Sequence, residues 1–372
     1  MLGVLGGGPS ARSIVMAART IGYRTTVVDP DPDSPTGKVA DVHLIAACDD
    51  PDAIEHLATT CAVVTFGADP VPKGELLHLA ERTLVHPSPD TVAVCHDRIA
   101  QKRFLDALGV PVGPWRAITS HDDLQAARDT TFPALLMPAH SGHEDTAPLV
   151  CDRHDDAEVA WRRLGEIPCV LEPRLHVDRE LSVAVARTHD GRVACYPVSE
   201  HRRVNGLLDT TSVPSSLAAD DQAQAAELCT YLAEQLDHVG VLTVSMIIVG
   251  NDVYLSDLLP APGAAGVYSL DACATDQFEQ HVRAVCSLGL GDPSLLVVSA
   301  SVVSLLGELW VLGEPNWAAA LQHVGAHLHL YSTSDTRAGR SMGHLTVTST
   351  DPHEVGNLAR RLRQQAAATH QR

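Results

Sequence analysis

At 372 residues, 45% of them hydrophobic, the chain is long enough for two or three domains with ample cores. Its 46 acidic residues outnumber 27 basic ones, giving a formal charge of −19 and an isoelectric point near 5.4, which excludes a phosphate-backbone partner. The longest apolar run, residues 295–306, is too short to cross a bilayer and is cut by Ser299, Ser301 and Ser304.

Met1 leads straight into an apolar segment. The nine cysteines are far apart, with no C-x-x-C pair. A cytoplasmic protein with reduced, mostly buried thiols is therefore expected. Leu2–Leu5 reads as a short strand, followed by a turn at Gly6, Gly7 and Gly8 where backbone can approach a ligand closely. Ile14, Val15, Ala17, Ala18 and Ile21 recur with helical spacing, and Thr25–Val28 is a second buried strand closed by Asp29. This opens a doubly wound nucleotide-type domain, whose ligands sit beyond the carboxyl ends of the strands. Gly6-x-Gly8-x-x-Ala11 with Asp29 downstream fits the NAD fingerprint. The same opening also serves α/β domains that bind no dinucleotide, and Pro9 has no amide proton to give a pyrophosphate.

Further along, residues 63–65 and 84–86 read as strands, and residues 97–108 as a helix stopped by Gly109 and Pro111. Arg98 and Lys102 share one face of that helix. Asp190-Gly191 marks a hairpin between residues 181–187 and 193–197. Residues 250–252 turn a second hairpin between 241–249 and 253–257, and a helix over 220–236 lies between the two. The tail reads as short strands over 297–306, 327–331 and 343–348. It ends in a helix over 352–364, with a frayed, solvated end from Arg360 onward.

In this order the blocks GVLGGG…GYRTTVVDPDPDSP, HDRIAQKRFLDALGVPVGPW, RELSVAVARTHDGRVACYPV, GVLTVSMIIV and RAGRSMGHLTV resemble the 5-(carboxyamino)imidazole ribonucleotide synthetase family of purine synthesis. The resemblance runs from residue 2 to about 348. It implies an α/β (α+β) ATP-grasp architecture: a Rossmann-like amino-terminal domain (1–95), two central grasp lobes (96–290) and a small β-rich carboxyl-terminal domain (291–372). In that family ATP, Mg²⁺ and bicarbonate make carboxyphosphate, whose CO₂ is captured by the amine of aminoimidazole ribonucleotide. Dimers are usual, so a homodimer with a small-molecule substrate is expected, and neither nucleic acid nor membrane as partner.

Site residues carry over position by position. The resemblance puts Arg98 and Lys102 at the D-R-x-x-x-K helix and Glu172 at the adenine hinge, making these the expected ATP contacts. Glu180 and Glu200 match acids near the transferred group. Asp257 is the carboxylate left for catalysis and for Mg²⁺. Gly8, Arg12, Arg203, Arg340 and His344 are the expected substrate contacts.

Elsewhere the chain departs from the family pattern. Pro9, Ser10 and Ala11 stand for Gly-Gln-Leu, and Gly67-Ala68-Asp69-Pro70 for E-F-E-N. Met137 stands for the nucleotide-binding Lys, and His140-Ser-Gly-His-Glu-Asp145 for the glycine loop. Ser245 replaces a Mg²⁺-binding Glu, Ser256-Asp257-Leu-Leu-Pro260-Ala261 replaces N-E-x-x-P-R, and Thr333 and Ser341 each replace a Lys. Phosphoryl transfer rests on cations and Mg²⁺ at the β- and γ-phosphates. The expectation is thus a scaffold reused for another small-molecule reaction or binding role without normal Mg-ATP chemistry. A working carboxylating ligase and a non-catalytic regulatory paralogue are the alternatives. Two smaller clusters stay open: His140, His143, Glu144 and Asp145 as metal ligands or a solvated loop, and His201, Arg202 and Arg203 as an anion contact or a surface turn.

Overall fold

The computed structural model describes residues 1–69, 71, 73–140, 148–333 and 336–368. By contact the chain divides into two compact units, each assembled from separated segments. The first comprises Met1–Pro89, Leu181–Val244 and Pro260–Arg372; the second comprises Asp90–Glu180 and Ser245–Leu259. The segment expected as a central domain, 96–290, contributes to both.

In the first unit, five parallel strands lie in the order Val42–Leu44, Thr25–Val28, Leu2–Leu5, Val63–Phe66, Leu84–Val85. The three inner strands are buried throughout, which is why they read as apolar runs rather than as alternating patterns. The helix Pro9–Ile21 lays Ala11, Ile14, Val15 and Ala18 into the core and ends at Gly22, whose φ of 102° is the left-handed cap geometry. Strand order reverses between Leu2–Leu5 and Val63–Phe66. This sheet therefore opens its crevice after Leu5 and after Phe66, at Gly6 and Gly67.

The same unit holds an antiparallel array in which Ser199–Val204, Leu207–Val213, Ser299–Leu306, Ser341–Ser349 and Ala326–Leu330 follow one another. The helix Val355–Ala368 covers it, burying Ala359, Leu362 and Ala366 against Val303, Leu305 and Leu345. The expected fraying from Arg360 is corrected here. The helix continues to Ala368 because Arg363 pairs with Asp209 at 2.5 Å and donates to the Ser304 carbonyl.

The second unit is built on an antiparallel sheet ordered Arg116–Ile118, Cys169–Pro173, Ala134–Pro138, Leu149–Cys151. Its core gathers Ile118, Leu124, Leu136, Trp161, Cys169 and Leu171. The helix Arg98–Ala107 begins where Asp97 accepts amide hydrogen bonds from Ile99 and Ala100, at 2.8 and 3.1 Å. The strand Asp252–Leu259 closes the second hairpin, turned at Gly250 (φ 63°). Among the described residues, no helix is long and apolar enough to cross a membrane, and all nine cysteines are free thiols.

Candidate functional site

In the second unit, the shared face of Arg98 and Lys102 divides into two tasks. Arg98 donates from its guanidinium to the Pro138 carbonyl and from its amide to Ala139, both at 2.8 Å, fixing the end of the strand Ala134–Pro138. The Lys102 ammonium, its side chain only 8% exposed, sits 2.5 Å from the Glu172 carboxylate. Glu172 stands on the strand Cys169–Pro173, opposite Leu135. Gln101, on the buried side of the helix, donates to the Cys95 and Leu258 carbonyls and, at 3.3 Å, to Asp257. Asp257 is exposed, and its charge reaches inward: with burial it pushes the Cys95 thiol far up. Met137 is half-buried on its strand, paired with Val170, and Ser245 stands half-buried on Gly240–Val249. Glu180 is half-buried at the start of the strand Arg179–Arg187. His143, Glu144 and Asp145 lie outside the described residues. His140 is exposed and bridges to Asp97, with 3.7 Å between ring nitrogen and carboxylate.

The first unit carries the crevice at the glycine turn. Gly6 adopts φ 90°, and the Gly8 amide donates to Asp69 at 3.1 Å. A Cβ at Gly8 would come within 2.1 Å of that carboxylate, and one at Gly7 within 2.4 Å of Asp29, so both positions require glycine. Asp69 thus takes the amide that a pyrophosphate would need, while Pro9 offers none and the Ser10 hydroxyl is turned to the Pro262 carbonyl. The dinucleotide fingerprint thus lacks the Gly8 and Pro9 amides for a pyrophosphate.

Two acids line this crevice. Burial pushes the Asp29 carboxyl above its ordinary range and does the same to Asp69, an effect the Gly8 amide and the Arg340 charge partly offset. Burial beside Asp29 raises the Cys48 thiol to about 11, so it is no nucleophile at neutral pH. Two cations complete the lining. Arg340 acts electrostatically on Asp69, and Arg12 lies within electrostatic reach of Tyr331, its Nε without a hydrogen-bond partner. The expected substrate contacts Gly8, Arg12 and Arg340 thus share one region of this unit.

His344 is buried, 3% exposed, with Nδ1 at 2.7 Å from the Tyr331 hydroxyl and its ring stacked on His329. Glu200 is occupied locally, accepting from the amide and hydroxyl of Ser216 at 2.9 and 2.7 Å. Arg203 is exposed beside a β-bulge and donates to the Gly206 carbonyl within its own hairpin. His201 bonds Thr211. Sequence reasoning missed Gln101, Asp271, His329 and Tyr331. The alternation in His327-Leu-His329-Leu-Tyr331 was the available signal, since it places all three on one face of a strand.

One unit with a buried lysine–glutamate pair on a helix and sheet, and another with an acid-and-arginine crevice at a parallel-sheet switch point, are the parts of an ATP-grasp protein. Three sequence profiles match in succession: a ribonucleotide synthetase preATP-grasp domain over residues 1–96, an ATP-grasp domain over 103–278, and a phosphoribosylaminoimidazole carboxylase C-terminal domain over 300–357. The N5-carboxyaminoimidazole ribonucleotide synthase of Bacillus subtilis is 32% identical over 348 residues, covering 93% of this chain and 90% of its own length. The solved synthetase of Thermus thermophilus superposes with a TM-score of 0.90 at 29% identity, covering 98% of both chains. An Aspergillus clavatus synthase in complex with ADP and 5-aminoimidazole ribonucleotide gives 0.86 at 25% identity, again over 98% of each. The chain belongs to the N5-carboxyaminoimidazole ribonucleotide synthase family.

Proposed function

We propose that this chain is an ATP-dependent C–N ligase that carboxylates the amine of an aminoimidazole ribonucleotide or a close chemical relative. The observation carrying this reading is the buried Lys102 ammonium held against Glu172 at 2.5 Å, in a chain that superposes over nearly its whole length on relatives solved as ADP complexes. A lysine is rarely buried without an anionic task, and here one ammonium serves Glu172 while keeping further donors for a phosphate.

The donor set fits Mg·ATP in a reduced form. Asp257 is an exposed carboxylate bonded by the neutral amide of Gln101, which suits a cation held by one carboxylate plus substrate phosphates. When bound, Mg·ATP supplies the phosphoryl group that activates bicarbonate. Lys102 then neutralises phosphate charge, and Gln101 holds Asp257 in place. In the other unit, Arg12 and Arg340 suit a 5′-phosphate, while Asp29 and Asp69 suit the hydroxyl and amine donors of a ribonucleotide.

A second reading, reuse of the scaffold without the Mg·ATP cycle, is favoured by Met137, an apolar thioether on the strand beside the hinge, and by Ser245 in place of a carboxylate. The test is turnover of ATP with bicarbonate and aminoimidazole ribonucleotide. ADP release that needs all three supports the ligase, and ATP binding without release supports reuse.

A further inference from the structure

Next to Tyr331, the two tail strands Ala326–Leu330 and Ser341–Ser349 place three imidazoles side by side. His329 and His344 are direct cross-strand partners, and His327 shares the face of His329 two residues earlier. Facing them is Asp271, on the short helix Ser269–Ala272. Its carboxylate lies 2.9 Å from His329 Nε2 and 3.7 Å from His327 Nδ1. One ligand atom each from Asp271, His329 and His344 falls within 4.8 Å of the others.

His344 is the informative member. Its Nδ1 is engaged by the Tyr331 hydroxyl, while its buried Nε2 has no hydrogen-bond partner. A buried imidazole nitrogen without a partner is costly. A metal-ligating histidine generally has its other ring nitrogen fixed by a hydrogen bond, and the Tyr331 hydroxyl fixes Nδ1 of His344 in that way.

We propose that Asp271, His329 and His344, with His327 as a fourth donor, form a binding site for a divalent transition metal of the zinc type, tying the Asp271 helix to the tail hairpin. Three imidazoles and one carboxylate suit zinc or cobalt rather than magnesium. Tetrahedral bonds of about 2.0–2.1 Å put ligand atoms about 3.3 Å apart, so the 2.9 Å Asp271–His329 contact must open slightly while the wider-set ligands close in on binding.

The test uses the full chain, stripped with a chelator and titrated with Co²⁺ alone, following the visible d–d bands of tetrahedral cobalt. The expected result is one equivalent per chain, without thiolate charge-transfer absorption, displaced by Zn²⁺. His329→Ala and His344→Ala should abolish the bands, and Tyr331→Phe should weaken affinity by about 10–100-fold. Far-ultraviolet dichroism of the metal-free variants checks that they fold. If they do not, anomalous scattering from cobalt-soaked crystals of the unaltered protein decides, and density at Asp271 is expected. Absence of the bands, bands that survive His329→Ala, or cobalt located only at cysteines would overturn the proposal and leave a hydrogen-bonded cluster.

Discussion

At the residue scale, the site rests on a few close contacts that fix which side chains can stand where. Gly8 is the sharpest case, because any Cβ there meets Asp69 at 2.1 Å. Gly8→Ala should cost about 1–3 kcal/mol of stability by overpacking. The paired variant Gly8→Ala/Asp69→Gly should recover most of it, as read by urea denaturation of both proteins. Lys102 is the second case. Lys102→Met keeps the side-chain volume but strands Glu172 and removes the phosphate partner. On the ligase reading kcat should fall by about 10²–10³, the cost of one preorganised charge. An unchanged kcat in a folded variant would assign Lys102 a structural role. Asp257→Asn keeps shape and the Gln101 contact but loses the charge that Mg²⁺ demands, so ATP turnover should fall steeply and not recover at raised Mg²⁺. Of these residues, Gly8 and Lys102 were legible in the sequence as positions within ordered blocks, and Asp257 as the one carboxylate in a segment that departs from the family pattern. Asp69 as a cap on Gly8 was not, because a hydrogen bond across 61 residues leaves no local pattern.

At the scale of elements, the sequence is most readable where burial is one-sided or complete. The helix Pro9–Ile21 and the inner parallel strands emerge from apolar spacing alone, and both hairpin turns emerge from Asp190-Gly191 and Gly250-Asn-Asp252. The hairpin Ser199–Val204 with Leu207–Val213 escaped notice. Its first strand is Ser-Glu-His-Arg-Arg-Val, largely solvent-facing, so no alternating apolar signal announces it. The tail helix was read too short because its last turns are arginine-rich. What holds them is the Arg363–Asp209 pair, a contact between residues 154 apart. Caps give a direct check. Asp97 receives two amides at the start of the helix that carries Lys102, so Asp97→Ala should lower stability by about 1 kcal/mol in thermal melts. A loss within error would mean that tertiary packing alone sets that helix start.

At the scale of the whole molecule, several histidines are buried, and burial disfavours their charged form. Burial lowers His238, His281 and His344 to about 3 and His201 to about 4, against 6.5 for a free imidazole. The folded chain therefore leaves these rings unprotonated where the unfolded chain protonates them. Their stabilisation is complete above pH 6.5 and is lost progressively as pH falls from there toward 3–4. Each ring adds to that loss within the window. Asp29, Asp69 and Asp276, whose carboxyls are raised by burial, act with the opposite sign nearer the carboxylate range. Urea denaturation at pH 7, 6 and 5 should show stability falling at each step, and a flat profile would contradict the buried-histidine account.

On the proposed function, this chain performs the family's chemistry with a reduced set of charges. The most direct test is the steady-state release of ADP by the purified protein with Mg²⁺, ATP, bicarbonate and aminoimidazole ribonucleotide, omitting each in turn. ADP release should depend on all four and fall by about 10²–10³ in Lys102→Met. No release above background at saturating concentrations, or release indifferent to the ribonucleotide, would contradict that reading.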